Sequence, residues 1–492
     1  MWYVLDYIGD MGKENDYLRM RALELKADVE PTPTDEIVVT GYAALTPFGD
    51  AKATYEALLN GESSIKKYAA SNDTANIASP INFNPSEHFD RRELRGISQV
   101  SAMALYVSME AMKRAGLTDE NGKLKDSIDR RRLASWVASG IASAPDIIEA
   151  NDVLYSGLNK NDVMINEIDE KTETKMRKNS RRISPFLGLE VFPEGIAGNI
   201  AIKFGAQGWG GGSVEACATG LSSIVDGAEK IRSGRADIVI AGGCEDILSD
   251  PKNIGTGKIG IGLFGKMGVL SRYNDEPDKA SRPFDRDRQG FVMGAGAAIV
   301  VMESRAHAER RGANILAKVG GFSKSMDGGN PTEIDIDNVS RTCAQALYDI
   351  HTKKFVRPDV FWAHATSTMV GDGREAWMLR NLLGDELMSE TPVAAIKSNM
   401  GHLFGAAGAI NAVSSIQSFE YNLVPHIRNL DNPQMHIGDL EKLDEKEKML
   451  NEGIENLLQP IRKTPYSGVN YNNLVVAYGF HGYNSAMMFQ RP

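Results

Sequence analysis

The sequence predicts an α/β protein whose strands are mostly buried between layers of helix. Helical stretches alternate with short β-branched and apolar runs along most of the 492 residues. Two strand-rich halves, over about 37–310 and 311–492, each begin with a strand ending in glycine, VVTGYAA and LAKVGGFS. Each half also carries one glycine-rich chemical motif, which points to a duplicated arrangement.

Taken in order, residues 1–36 read as an appended segment, helical between Asn15 and Ala27 and closed by the breaker run Pro31, Thr32, Pro33, Thr34. The first strand falls at 36–41 and a helix follows at 51–60. Further strands are expected at 133–139, 238–243, 297–302, 315–321, 360–363, 393–396 and 474–477. The charged stretch 439–456, DLEKLDEKEKMLNEGIEN, reads as a solvated helix inserted before the final strands.

A net charge of −10 argues against a nucleic-acid binder, which needs a broad basic face. Three scattered cysteines, Cys217, Cys244 and Cys343, make neither a disulfide framework nor a zinc site and fit a reducing compartment. The N-terminus fits neither a secretory signal nor a transit peptide, and no window reaches about 18 uninterrupted apolar residues, so the expectation is a cytoplasmic protein with no membrane span.

Cys217 stands in VEACATGLSSI, between a strand-like approach through residues 212–216 and a helical pattern from Leu221 to Ile231. A tight strand-to-helix turn places a thiol where helix amides and dipole favour the thiolate. Cys244 and Cys343 lack that context and read as packing. His364, in WAHATST, sits at a strand end suited to chemistry. Asp372 and Glu375 follow in GDGRE, where they either compensate a helix dipole or organise a polar site. In KSNMGHLFGAAG, Lys397 and His402 lead into a helix of small residues, and a cation buried there needs a partner. GFHGYN, with Phe480, reads as a glycine-punctuated hairpin turn. SRPFDRDRQGFVMGAG reads as a buried structural loop, since no phosphate-binding helix follows its GxG.

In this order the motifs VVTGYAALTPFGD, RRISPF, EACATG, AGGCED, SRPFDRDRQGFVMGAG, HATST, GDGRE, KSNMGHLFGAAG, LDNP and GFHGYN resemble the elongating, free-standing type II β-ketoacyl-acyl-carrier-protein synthases of the thiolase superfamily, over roughly residues 36–492. The resemblance implies a thiolase-like five-layer α-β-α-β-α fold with two pseudo-twofold halves. It further implies a decarboxylating condensation between an acyl chain on Cys217 and a malonyl thioester. His364 and His402 would stabilise the enolate, and the backbone N–H groups of Cys217 and Phe480 would form an oxyanion hole. Phe480 would also be a gate. Lys397 would hold His364 in place, helped by Asp372 and Glu375, while Thr366 and Thr368 would grip pantetheine.

No permanently bound cofactor and no metal are implied, because the substrates ride on the phosphopantetheine of acyl carrier protein. That acidic partner would dock on Arg181 and Arg182, with Arg91, Arg92, Arg95 and Lys266 as further candidates. A homodimer is implied, with residues 212–216 pairing across its interface. The alternatives are a chain-length-factor-like subunit that heterodimerises with a ketosynthase, and a degradative thiolase, which usually carries a second cysteine near its C-terminus. Some positions depart from the family pattern. Asn411 stands where a glutamate usually follows the motif lysine by fourteen residues, and His481 and Tyr483 enlarge GFHGYN. Trp362 replaces the usual asparagine two residues before His364, Ala365 replaces the glycine after it, and the stretch 327–331 is shorter than the loop that usually faces the gate.

Overall fold

The computed structural model describes residues 36–68, 75–141, 144–158, 170–183, 185–190, 192–248, 256–433 and 464–492, with residues 18–21, 24, 448, 449 and 452 besides. In the N-terminal half the chain runs through β1 (Ile37–Thr46), α1 (Gln99–Arg114), β2 (Leu133–Ser139), β3 (Gly210–Gly211), α2 (Thr219–Arg232), β4 (Ile238–Glu245) and β5 (Gly296–Ser304). The C-terminal half repeats the plan with β6 (Ala317–Met326), α3 (Ile336–Ala346), β7 (Val360–Trp362), α4 (Met369–Glu390), β8 (Val393–Ala394), α5 (Ala407–Tyr421), β9 (Asn472–Gly479) and β10 (Tyr483–Gln490).

The strand order is β1-β5-β4-β2-β3 in the first half and β6-β10-β9-β7-β8 in the second. Directions match as well: the first two pairings of each set are antiparallel and the last two parallel. β1 and β6 join the halves through antiparallel pairing of Ile37 with Val319 and Val39 with Ala317. The duplication expected from the two glycine-ended strands is therefore present in topology, strand for strand.

The α2 and α5 helices pack on each other between the two halves of the sheet, with α1 outside one half and α3 and α4 outside the other. This is the five-layer α-β-α-β-α arrangement. The sequence dictates which helices go inside: every residue of α5 from Ala407 to Phe419 is buried, and most of them are small. By contrast α1 buries one stripe and is capped by Ser98, whose Oγ accepts from the Ser101 N–H at 3.3 Å.

The approach to Cys217 pairs only briefly with the chain's own sheet. The strand is Gly210–Gly211, paired in parallel with Ser135 and Trp136, and residues 212–215 have already left the sheet. The chain passes Ala138 so closely at Gly212 that a side chain there would stand 2.6 Å from Ala138 Cβ, so the position requires glycine. Of the N-terminal segment, Leu18 is buried in the C-terminal core and Arg21 Nε donates to the Asn381 carbonyl at 2.6 Å. The rest of the helix expected there, and nearly all of the stretch 439–456, lie outside the described residues.

The contact between the central helices leaves no room for a side chain at Gly220, where a Cβ would meet Gly405 O at 2.7 Å and Ala409 Cβ at 2.9 Å. Gly220→Ala is expected to lower stability by about 1–3 kcal/mol through overpacking, read from the denaturant midpoint at unchanged slope. An unchanged midpoint would show that the helices have slack.

Candidate active site

Cys217 lies in one turn of 3-10 helix, Ala216–Ala218, immediately ahead of α2. Ala218 N–H donates to Glu215 O at 3.0 Å and Glu215 N–H to Thr219 Oγ1 at 2.9 Å, which bends the chain sharply. The bend forces Ala216 to φ 49°, a left-handed conformation that a non-glycine residue keeps only under constraint. Gly479 lies against this turn, and a Cβ there would collide with the Glu215 carbonyl.

The same device recurs in the other half. Phe404–Ala406 forms a 3-10 turn ahead of α5, with Phe404 at φ 44°. Topologically Gly405 is the counterpart of Cys217, and His402 enters just before it. Cys217, His364, His402, Thr366, Thr368 and Phe480 all line one cavity of about 370 Å³.

The backbone on both sides of His364 is held. Glu375 Oε1 accepts from His364 N–H at 2.7 Å and its Oε2 from Ala365 N–H at 2.6 Å. Asn411 Nδ2 donates to Ala363 O at 2.9 Å, and Lys397 Nζ donates to His364 O. Asp372 accepts from Ser367 N–H at 3.0 Å and Phe284 N–H at 2.8 Å, with Arg288 Nε 4.0 Å away. The carboxylates that open α4 thus fix the loop that carries His364. Most of the SRPFDRDRQG loop is buried as expected, with Arg286, Asp287 and Gln289 exposed, and it also buttresses the site through Phe284 and Arg288.

On the ring, His364 Nδ1 accepts from Tyr478 N–H at 3.3 Å, which assigns the proton of the neutral imidazole to Nε2. The ring centroids of His364 and His402 are 5.4 Å apart and perpendicular. His402 is gripped by its backbone, donating to Val292 O at 2.7 Å and accepting from Gly294 N–H at 2.9 Å. Its ring stacks on Phe404 at 4.9 Å and meets Phe291 edge-on at 5.4 Å. Among the described residues its Nδ1 has no hydrogen-bond partner, so no bond fixes its tautomer.

Burial dominates the electrostatics. It pushes the Cys217 thiol up to about 12; nearby Lys397 pulls it down and Glu245 pushes it up, both by less. The thiolate expected from the helix terminus is therefore not the resting state. Burial likewise holds His364 and His402 well below the usual imidazole range, with Lys397 acting in the same direction, so both rings are neutral at pH 7. Lys397 and Glu375 are a buried pair whose charged forms desolvation disfavours, the lysine shifted down and the carboxyl up.

Lys397 does not line the cavity; it acts on His364 from behind. Thr366 and Thr368 stand 3.0 Å apart at the cavity wall, and Thr368 also caps α4 by accepting from Gly371 N–H. Arg181, Arg182, Arg91, Arg92 and Arg95 are partly or fully exposed and none lines the cavity. Lys266, exposed at the end of a helix, stands two residues before the cavity-lining Gly268 and Val269. Among the described residues no group of His, Cys, Asp and Glu is arranged to hold a metal ion, and no helix is long and apolar enough to cross a membrane.

Sequence reasoning missed Glu245, the acid in AGGCED. It is buried, accepts from Ser139 Oγ at 2.6 Å, Gly140 N–H at 3.0 Å and Gly405 N–H at 3.3 Å, and its carboxyl is pushed up to about 7 by burial. It staples the Phe404–Ala406 turn to the end of β2. A carboxylate at the end of an otherwise apolar strand was its only local signal.

The buried thiol sets a pH dependence. Below its pKa the thiolate fraction rises tenfold per pH unit, so alkylation of Cys217 by iodoacetamide is expected to climb with unit slope from about pH 7 to 10. A plateau below about pH 9 would contradict burial as the dominant effect.

Comparison with known proteins places this geometry. Residues 34–308 match the N-terminal domain of β-ketoacyl synthases and residues 316–431 the C-terminal domain. The chain is 30% identical over 465 residues to a 3-oxoacyl-[acyl-carrier-protein] synthase 2 of Vibrio cholerae, spanning 92% of this chain and 99% of that one. The crystal structure of a β-ketoacyl synthase from Burkholderia phymatum aligns with a TM-score of 0.76 at 24% identity, covering 93% of this chain and all of the other. AntDE:AntF, a type II PKS acyl-carrier protein in complex with its ketosynthase, aligns at 0.72 and 24%, covering 94% of this chain and 100% of that one. The chain belongs to the β-ketoacyl synthase family and has its thiolase-like fold.

Proposed function

We propose that this chain is an acyltransferase that condenses an acyl group held on Cys217 with a malonyl thioester of acyl carrier protein, releasing CO2 and giving a 3-oxoacyl thioester. The observation that carries this reading is that a thiol and two neutral imidazoles line one cavity, with aromatic rings packed behind.

In the first step Cys217 sulfur attacks the acyl thioester and the pantetheine thiol leaves. The Cys217 proton must move during attack, because burial keeps it on the sulfur beforehand. His402, whose tautomer no hydrogen bond fixes, takes it and passes it to the leaving thiolate. The backbone N–H groups of Cys217 and Phe480 receive the developing oxyanion. In the second step malonyl loses CO2, and the enolate oxygen is met by Nε2–H of His364 and by His402. The enolate carbon then attacks the acyl carbonyl, and the cysteine thiolate departs and takes up one proton from water, which replaces the one given to the pantetheine thiol in the first step. Neutral rings suit this: they donate a hydrogen bond without surrendering a proton to the enolate.

Lys397, Asp372, Glu375 and Asn411 keep the His364 loop in place, Thr366 and Thr368 hold pantetheine, and Phe480 gates the acyl pocket. The curated relative's name supports an oxoacyl chain carried on acyl carrier protein, and the reading adds a malonyl thioester as the second substrate and no permanently bound cofactor. The structure of a carrier protein in complex with its ketosynthase supports a carrier protein as partner, and Lys266, Arg181, Arg182, Arg91, Arg92 and Arg95 are the proposed cationic candidates for its docking. The working unit is a cytoplasmic homodimer, each chain divided into an extension at 1–36 and halves at 37–310 and 311–492. No observation favours the chain-length-factor alternative, since the thiol is retained within a complete site.

Cys217→Ala and Cys217→Gln are each expected to lower condensation of acyl and malonyl carrier thioesters by at least about a thousandfold while CO2 release from the malonyl thioester persists. His402→Ala is expected to slow CO2 release by roughly a hundredfold. Condensation that survives either cysteine change would sink the reading.

A further inference from the structure

Lys324, on β6 of the C-terminal half, reaches into the N-terminal half and ends between two carboxylates. Its Nζ lies 2.5 Å from Glu215 Oε1 and 2.8 Å from Asp226 Oδ2. Glu215 stands two residues before Cys217. Its second oxygen accepts from Ser222 Oγ at 2.5 Å, and that hydroxyl bonds Ser485 Oγ at 2.5 Å. Asp226, on α2, accepts from Ser213 Oγ, and Ser213 N–H donates to Ser223 Oγ at 3.2 Å. Both ends of the segment 213–215, which delivers the chain to Cys217, are therefore tied to α2 and, through one lysine, to β6.

This matters because of the strain at Ala216. A left-handed alanine persists only where its surroundings over-determine it. The hydrogen bonds of Glu215 with Ala218 and Thr219 fix the turn against its own helix. Lys324 fixes it against the other half of the molecule, which supplies both imidazoles of the site. All three charged side chains are mostly covered, with 24% of Lys324, 14% of Glu215 and 31% of Asp226 exposed, so loss of one partner leaves a charge that water only partly reaches.

We propose that Lys324 is a positioning residue which, through Glu215 and Asp226, registers the Cys217 turn on the half that carries His364 and His402. The proposal rests on Cys217 being the nucleophile. It works through geometry rather than field, since the charges that act on the Cys217 sulfur are those of Lys397 and Glu245.

The sign of two substitutions separates these mechanisms. Through its field alone, Lys324→Met removes a cation and slows thiolate chemistry, whereas Glu215→Gln removes an anion and speeds it. Loss of register slows both. The measurement is the second-order rate of Cys217 alkylation by iodoacetamide in the full chain at pH 8, with Cys217→Ala as the blank and melting temperature recorded for each variant. Both variants are expected to react roughly ten to a hundred times more slowly, and Lys324→Arg, which keeps the cation, to retain most of the rate. The double variant is expected to be no slower than the worse single one. Unchanged rates, or opposite signs, would overturn the proposal. If Lys324→Met does not fold, the near-isosteric Glu215→Gln decides alone. Alkylation does not require turnover, so this result stands apart from whether the chain condenses acyl and malonyl groups.

Discussion

The backbone contact between α2 and α5 sets the spacing of everything that could react. Gly220 and Gly405 meet so closely that a methyl group at Gly220 would displace one helix. The 3-10 turns that start these helices, Ala216–Ala218 and Phe404–Ala406, carry Cys217 on one side and follow His402 on the other. A small-residue helix interface is thus the ruler that puts thiol and imidazole at one cavity. Glu245 bonds Gly405 from β4 and Gly140 beyond β2, so the ruler is anchored to the sheet as well.

Burying this many polar groups is costly, and the structure limits the cost by leaving most of them neutral or fully bonded. The thiol keeps its proton and the imidazoles do not gain one. Glu375 spends both oxygens on two backbone N–H groups, and Asn411 needs no charge to hold the Ala363 carbonyl. Asn411 keeps a hydrogen bond to the His364 loop without adding a further acid to the buried site. The fixed element is the His364 backbone, and the adjustable one is the His402 ring.

Much of this was legible in the chain. The strand at 133–139 has the bounds read from its apolar run, because charged residues precede it and a Ser-Gly pair ends it. Local motifs singled out Cys217, His364 and His402, which the fold brings to one cavity, and Lys397 behind it, and they also carried the close packing of α5. What local pattern cannot carry is contact between distant segments. Lys324 looks like the solvent face of a strand, and only the fold shows Glu215 and Asp226 on either side of it. Glu245 was hidden in a strand end for the same reason. The expected thiolate failed because a helix terminus stabilises charge by a few tenths to about 1 kcal/mol, whereas full burial of a thiol outweighs that severalfold.

The covalent state of Cys217 tests the central claim most directly. After exposure to an acyl thioester of acyl carrier protein, intact-mass measurement with peptide mapping is expected to show one acyl group, on the peptide that contains Cys217. Malonyl carrier protein is expected to discharge it with loss of CO2. An unmodified Cys217, or an acyl group found on Cys244 or Cys343 instead, would contradict the proposed chemistry.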